Sequence, residues 1–389
     1  MGAVTALLTP FRGYVPAEEF AHRVVGPPVS MLSPDQRDAA RTDPLSFRHV
    51  VGRGAGSSKD EAREWLETCR REGVLREVGP AVFVYRLAKG DLVATGLVAD
   101  VSVGAYDSGL VKRHETTISN TERKMARYMR TTRIYGNPVA LAHRKNPRMS
   151  AIIANHTRRE ADYGFVAADG FSHALWEVAG EEAQELCAGF DDTLYITDGH
   201  HRLAAASVLA AAERRMDPHL PAGLFSSDEL RLRAFARCVI DPDIDADAVI
   251  KRLRLEHHLE EVSEVEARPR GRFEYGVKIG GHSFRLRIDR AAVPDDFYRS
   301  LDVNLLQDLI LEPVFGIANP RQDRRLHFTA DHPALRGPKP ACDAWFLPFP
   351  ASVGDVMAVA DSGRAMPPKS TWFGPKLPSG LVIRLLDKT

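Results

Sequence analysis

Three short clusters in the chain carry side chains able to do chemistry. The densest is Asp198-Gly199-His200-His201-Arg202, set between the apolar stretch Leu194, Tyr195, Ile196 and an alanine-rich run from Leu203 to Ala212. That pattern reads as a buried strand handing over to a helix of high propensity. Thr197 or Asp198 can cap the helix. Its first N–H groups, on His200, His201 and Arg202, then face outward from a terminus that favours anions. Gly199 lets a ligand approach the backbone, and Arg202 offers a bidentate fork for phosphate or carboxylate. Asp198 has the chemistry to hold a metal ion or accept a proton. A zinc site would need a third ligand, and adjacent histidines diverge around a helix. A plain capped helix with solvent-facing histidines explains Asp198 and Gly199. It does not explain two histidines and an arginine at the first three helical positions.

The second cluster is Val111 to Thr117, "VKRHETT", followed by Arg123, Lys124, Arg127 and Arg130. Arg123, Arg127 and Arg130 are spaced to share one helix face. On spacing alone a solvated basic face is the better reading. The sharper one makes His114 or Glu115 an acid or base and sets an arginine against phosphate. The third cluster is "MPPKSTWFGPK", from Met366 to Lys376. Pro367 and Pro368 stiffen a loop, and Lys369, Ser370, Thr371 and Lys376 are donors for a negatively charged ligand. Its bland alternative is a proline-braced surface turn.

These clusters need elements to hold them. A hairpin is expected over "AVFVYRL" (81–87) and "DLVATGLVADVSV" (91–103), turning near Lys89-Gly90. Ser119 and Glu122 form a capping-box pattern opening a helix. "NPVALAH" reads as a strand, "MSAIIANHTRREA" as a helix, and "YGFVAAD" with "HALWEVA" as a strand pair. After Asp241-Pro242 come an amphipathic helix over "AVIKRLRLEHHLEEV", a hairpin turning at Gly280-Gly281, the apolar helix "DVNLLQDLILEPVFGI", the strand "AWFLPFP" and a helix stopped by Gly363. The proline-rich first fifty residues read as an irregular wrapping segment. "GRGAGSS" (52–58) reads as a loop without a phosphate-loop ending, and Ser58 or Asp60 as the cap of the next helix. The mixed order of strands and helices favours an α+β fold.

The chain has 389 residues, enough for two or three domains. Lys+Arg and Asp+Glu are both 52, so no global basic excess points to nucleic acid. The four cysteines, Cys69, Cys187, Cys238 and Cys342, are far apart with no paired spacing. That argues for reduced thiols in a cytoplasmic protein rather than a zinc site or disulfides. The first residues lack the pattern of a signal peptide, Ala6 speaks against myristoylation of Gly2, and no apolar run is long enough for a membrane span.

Together the clusters resemble a widespread bacterial and archaeal family catalogued as a domain of unknown function. Its motifs match Pro10-Phe11-Arg12, "DPLSFRHV" (43–50), His114-Glu115-Thr116-Thr117, the five residues from Asp198 to Arg202, and Met366 to Lys376. Two features depart from the family. Val29-Ser30 follows Pro27-Pro28 where a Tyr-Asp is usual, and "CVIDPD" (238–243) stands where a "PTHR"-like segment is expected. More distantly, the strand, turn and helix around "DGHHR" resemble the signature turn of ParB- and sulfiredoxin-like proteins, an architecture shared by free serine kinases. That resemblance implies a mixed-sheet ParB/sulfiredoxin-like core over 111–240. A wrapping segment and hairpin region (1–110) would precede it, and an additional α+β C-terminal region (241–389) would follow. It further implies a nucleotide-dependent kinase acting on a hydroxyl group, of free serine or a related hydroxy amino acid. Glu115, His114 and Asp198 would be catalytic, and Gly199, His200, His201, Arg202, Arg123, Lys369, Ser370 and Thr371 would bind nucleotide or phosphate. Asp198 would hold Mg²⁺, and ATP or ADP would be the donor. The expected partners are the nucleotide and a small hydroxylated substrate, with neither membrane nor nucleic acid. Two other functions fit the same residues: a ParB-like nucleotide-binding protein acting on DNA or a protein partner, and a phosphohydrolase or nuclease.

Overall fold

The structure, a computed structural model, describes residues 6–28, 31–50, 59–214, 218–331 and 342–386. The loop expected over 52–58, the cap expected at Ser58 and the departure at Val29-Ser30 lie outside them. The chain divides into two compact units, Met1–Arg231 with Pro375–Thr389, and Leu232–Gly374. The sequence reading divides it instead at residues 110 and 240. The protein is α+β, and each unit has its own sheet.

The described residues of the first unit form a ten-stranded mixed sheet. Its main path runs Val111–Lys112, Leu194–Asp198, Val139–His143, His219–Ser226, Leu92–Ser102, Leu75–Lys89, Ser172–Ala179 and Tyr163–Val166. The expected hairpin forms its middle, with Lys89 opposite Leu92. Leu194–Asp198 is parallel to Val111–Lys112 and antiparallel to Val139–His143. The core of this unit includes Leu97, Leu141, Leu194 and Ile196, packed with Leu203, Ala205 and Leu209 of the helix His200–Glu213. Burying each such leucine contributes about 1.5–3 kcal/mol, so this helix is fixed by its apolar face. Its small alanines let the helix Ser119–Thr132 lie alongside.

Several expectations change on the structure. The first fifty residues are more regular than their prolines suggest. Phe11–Pro16 pairs with Leu75–Lys89, and Pro34–Thr42 is a helix with a full capping box from Ser33 and Gln36. Ser119 does not cap the helix it opens, because the N-cap is Ile118. Asp60 lies in the first turn of the helix Lys59–Arg71 rather than at its cap. The helix expected over "AVIKRLRLEHHLEEV" stops at Glu256, and His258–Glu261 continues as a strand pairing with His282–Arg287. Sheet pairing there overrides helical periodicity.

The second unit holds a six-stranded sheet in the order His258–Glu261, His282–Arg287, Glu274–Ile279, Ala344–Pro348, Phe235–Val239 and Leu326–Ala330. The apolar segment after Leu301 is helical, with a π-helical turn over Gln307–Leu311. Here the thiol expectation is overturned. Cys238 and Cys342 form a disulfide with a Cα–Cα distance of 5.4 Å across a sequence separation of 104. Cys238 lies in Phe235–Val239, beside the strand Ala344–Pro348 that Cys342 precedes. Tertiary pairing of strands, invisible in the spacing, brings the two within bonding reach. Cys69 and Cys187 are free and buried. Among the described residues, no helix is long and apolar enough to cross a membrane.

Candidate functional site

The parallel pairing of Val111–Lys112 with Leu194–Asp198 decides where the first two clusters go. Neighbouring parallel strands point the same way, so the residues that follow them emerge at one edge of the sheet. The "HETT" and "DGHHR" segments therefore meet. Val139–His143 runs the opposite way, so Asn137 and Pro138, which precede it, come to the same edge.

At that edge Gly199 turns the chain with φ +96° and serves as N-cap of the helix His200–Glu213, without a side-chain cap. Neither Thr197 nor Asp198 takes the capping role expected of it. The Asp198 carboxylate is instead gripped by two cations. Lys376 Nζ donates to Oδ1 at 2.5 Å, and the Arg202 guanidinium pairs with Oδ2. Burial alone would raise this carboxyl, but the charges of Lys376 and Arg202 outweigh it and hold the group well below the usual carboxylate range. Arg202 also donates to the carbonyls of Pro138 (2.5 Å) and Asn137 (3.1 Å). Its fork thus braces the turn from inside.

A magnesium ion needs a carboxylate oxygen with an open face. Both Asp198 oxygens face cations. Among the described residues, no group of three or more His, Cys, Asp or Glu is placed to hold a metal. The donor set does not fit the metal role expected of Asp198, and no step below runs through a metal.

The histidines are placed differently from solvent-facing caps. His114 is 1% exposed and His200 5% exposed, and their rings meet edge to face with centroids 4.5 Å apart. His114 is tied to the Ile196 backbone, and burial pushes its pKa down to about 3. Burial lowers His200 as well, with His114 adding to the effect, so both rings are neutral at pH 7. His200 Nδ1 lies 3.7 Å from Glu115 Oε2. Its Nε2 is buried and has no hydrogen-bond partner. His201 turns away, its Nε2 accepting the Ile118 N–H at 3.1 Å, and so ties the helix Ser119–Thr132 to this turn.

Arg123 is exposed on that helix. Lys369, Ser370 and Thr371 belong to the second unit, where Lys369 is exposed and Ser370 and Thr371 are buried. The sequence reading named Lys376 as a donor but could not pair it with Asp198, 178 residues away. It missed Tyr135, whose buried hydroxyl has no hydrogen-bond partner and feels the charge of Arg202. No local signal marks that tyrosine.

Fold and site together define an α+β protein with a neutral histidine pair and a charge-locked turn where a strand meets a helix N-terminus. The sequence profile of the family described as "Protein of unknown function (DUF1015)" matches residues 8–304, and the chain belongs to that family. No curated protein matches the chain. Among solved structures it is similar to free serine kinase in complex with AMP, at 15% identity over 72% of this chain and 88% of that one, TM-score 0.34. It is also similar to SbnI from Staphylococcus aureus, at 12% identity over 74% and 87%, TM-score 0.40. A conserved hypothetical protein from Pyrococcus furiosus is similar at 16% identity over 72% and 93%, TM-score 0.34.

Proposed function

We propose that the chain is a nucleotide-dependent small-molecule kinase that phosphorylates a hydroxyl group, with free serine or a related hydroxy amino acid as the acceptor class. The observation that carries this reading is His200: a buried, neutral imidazole with Nε2 unpartnered and a carboxylate 3.7 Å from Nδ1. That is the arrangement of a general base backed by an orienting acid. In the proposed step Nε2 takes the proton of the substrate hydroxyl, and the oxygen attacks the terminal phosphorus of ATP or ADP. The bond from that phosphorus to the leaving phosphate breaks, giving a phosphate ester and the shortened nucleotide. Glu115 stabilises the imidazolium formed at His200. His114, packed edge-on, fixes the ring plane, and the Asp198, Lys376 and Arg202 cluster holds the turn. The first N–H groups of the helix favour the phosphate charge.

The test is direct. The purified chain is mixed with ATP or ADP, magnesium and a panel of hydroxy amino acids. The expected result is a heat of nucleotide binding and a phosphate ester of one acceptor class. Neither heat nor ester would overturn the reading.

A further inference from the structure

A hydroxy amino acid brings a carboxylate as well as a hydroxyl, and a site that excludes water must meet that charge with a cation. At the Gly199 turn both cations are already engaged, because Lys376 and Arg202 grip Asp198. Unused positive charge lies in the segment after the helix Pro34–Thr42. There Phe47–His49 forms one turn of 3₁₀ helix, capped by Ser46 Oγ, which accepts the Arg48 N–H at 3.3 Å. Phe47 is 1% exposed and sits against two glycines. A Cβ on Gly136 would overlap its ring, and one on Gly380 would come within 2.8 Å of its Cβ. Gly136 stands between Tyr135 and Asn137, whose carbonyl Arg202 holds. The turn carrying Arg48 is therefore wedged against the backbone of the candidate site.

Arg48 is half-buried, and its Nε and Nη1 are buried without a hydrogen-bond partner. Arg37 Nε is in the same condition. Among the described residues neither arginine has an acidic partner. The nearest acid along the chain, Asp43, is held by Arg23 at 2.7 and 3.0 Å, and Asp38 pairs with Arg41 at 3.2 Å. Burial, then the like charges of Arg41 and Arg37, lower the Arg48 pKa. The Trp65 indole, 7% exposed, packs edge to face on Phe47 with centroids 5.5 Å apart, and its N–H also lacks an acceptor. Ten buried side-chain atoms have no partner among the described residues, and these four, all donors, gather around Phe47. Buried donors left unmet are costly, and a carboxylate is a group made only of acceptors. Arg113 and Arg123 are exposed and keep their water, so neither calls for a ligand in this way.

We propose that Arg48, with Arg37 beside it, binds the carboxylate of the acceptor and so selects hydroxy acids over alcohols that lack the acid group. The assignment of a hydroxyl to the same ligand rests on the kinase reading; the carboxylate subsite itself rests on the unmet donors.

The full chain is titrated by calorimetry with L-serine, glycerate and ethanolamine, the last being serine without its carboxylate. Serine and glycerate should bind and ethanolamine should not. Arg48→Met should weaken both acids by about tenfold or more, the effect of losing a charge-assisted anchor. In turnover it should raise KM for the acceptor with little change in kcat, which a merely structural residue would not do. Arg48→Lys keeps the charge without the fork and should recover part of the loss. Arg48→Met also removes two unmet donors, so its melting temperature should not fall. Ethanolamine binding as tightly as serine would overturn the subsite, as would a folded Arg48→Met protein that binds the acids like the parent. If Arg48→Met fails to fold, Arg37→Met and the comparison of serine with ethanolamine in the parent decide it by the same criteria. Carboxylate binding in a protein that phosphorylates nothing would keep the subsite and remove the kinase. Equal phosphorylation of serine and ethanolamine would keep the kinase and remove the subsite.

Discussion

The turn at Gly199 and the loop at Lys369 treat positive charge in opposite ways. In the first, Lys376 and Arg202 share one carboxylate, Asp198, and the cations are satisfied internally. In the second, Arg237 is buried with no acidic partner among the described residues, and Lys369, whose carbonyl it holds, is exposed. A balanced cluster can fix a backbone turn and leave neighbouring lone pairs, such as His200 Nε2, free for proton transfer. An unbalanced one fits a partner that brings its own negative charge. Having the same residue types at both places therefore does not mean the same task.

The sharpest way to break this contrast is at His200. His200→Gln removes the basic nitrogen at little change in volume. It should lower the turnover of the proposed reaction by about 10²-fold or more, the usual contribution of a positioned base. Nucleotide binding measured by calorimetry should stay close to that of the parent. An acid titration tests the same histidines through stability. His114 has a pKa of about 3 in the folded protein against 6.5 as the ordinary value, so the unfolded chain binds the extra proton first. The stability this neutral ring contributes is present above pH 6.5 and is lost as pH falls from 6.5 toward 3. Urea midpoints across that window should fall less steeply in His114→Gln than in the parent.

The contrast in charge balance is tested by two lysines. Lys376→Met leaves Asp198 with Arg202 alone and should cost about 1–2 kcal/mol of stability. Lys369→Met removes an exposed cation with no acidic partner among the described residues and should leave stability within about 0.5 kcal/mol of the parent. Equal losses from the two would erase the distinction. The backbone of the turn is tested at Gly199. An added Cβ would come within 2.8 Å of the Arg202 side chain at a φ of +96°. Gly199→Ala should cost about 1 kcal/mol in a denaturant melt, with the flexible arginine absorbing part of the clash.

Much of this arrangement was legible in the residues. The hairpin over 81–103, the strand ending at Asp198 and the alanine-rich helix follow from period and propensity. The "HETT" and "DGHHR" segments were legible as a pair only through resemblance. Their meeting depends on the parallel pairing of Val111–Lys112 with Leu194–Asp198, which no local pattern states. The cap expected at Asp198 failed because Arg202, one helical turn on, and Lys376, 178 residues away, compete for its oxygens more strongly than the helix N–H groups do. No local pattern marks Arg237, and its burial without a carboxylate partner among the described residues is a tertiary fact. The disulfide was missed for the same reason, since Cys238 and Cys342 meet only when their strands pair.

Phosphorus NMR of the full chain mixed with ATP, magnesium and free serine tests the central claim most directly. The account predicts a new phosphomonoester resonance with the parent, and none with a His200→Gln protein that still binds nucleotide. The same resonance growing as fast with His200→Gln, or no resonance from the parent with any hydroxy amino acid, would contradict it.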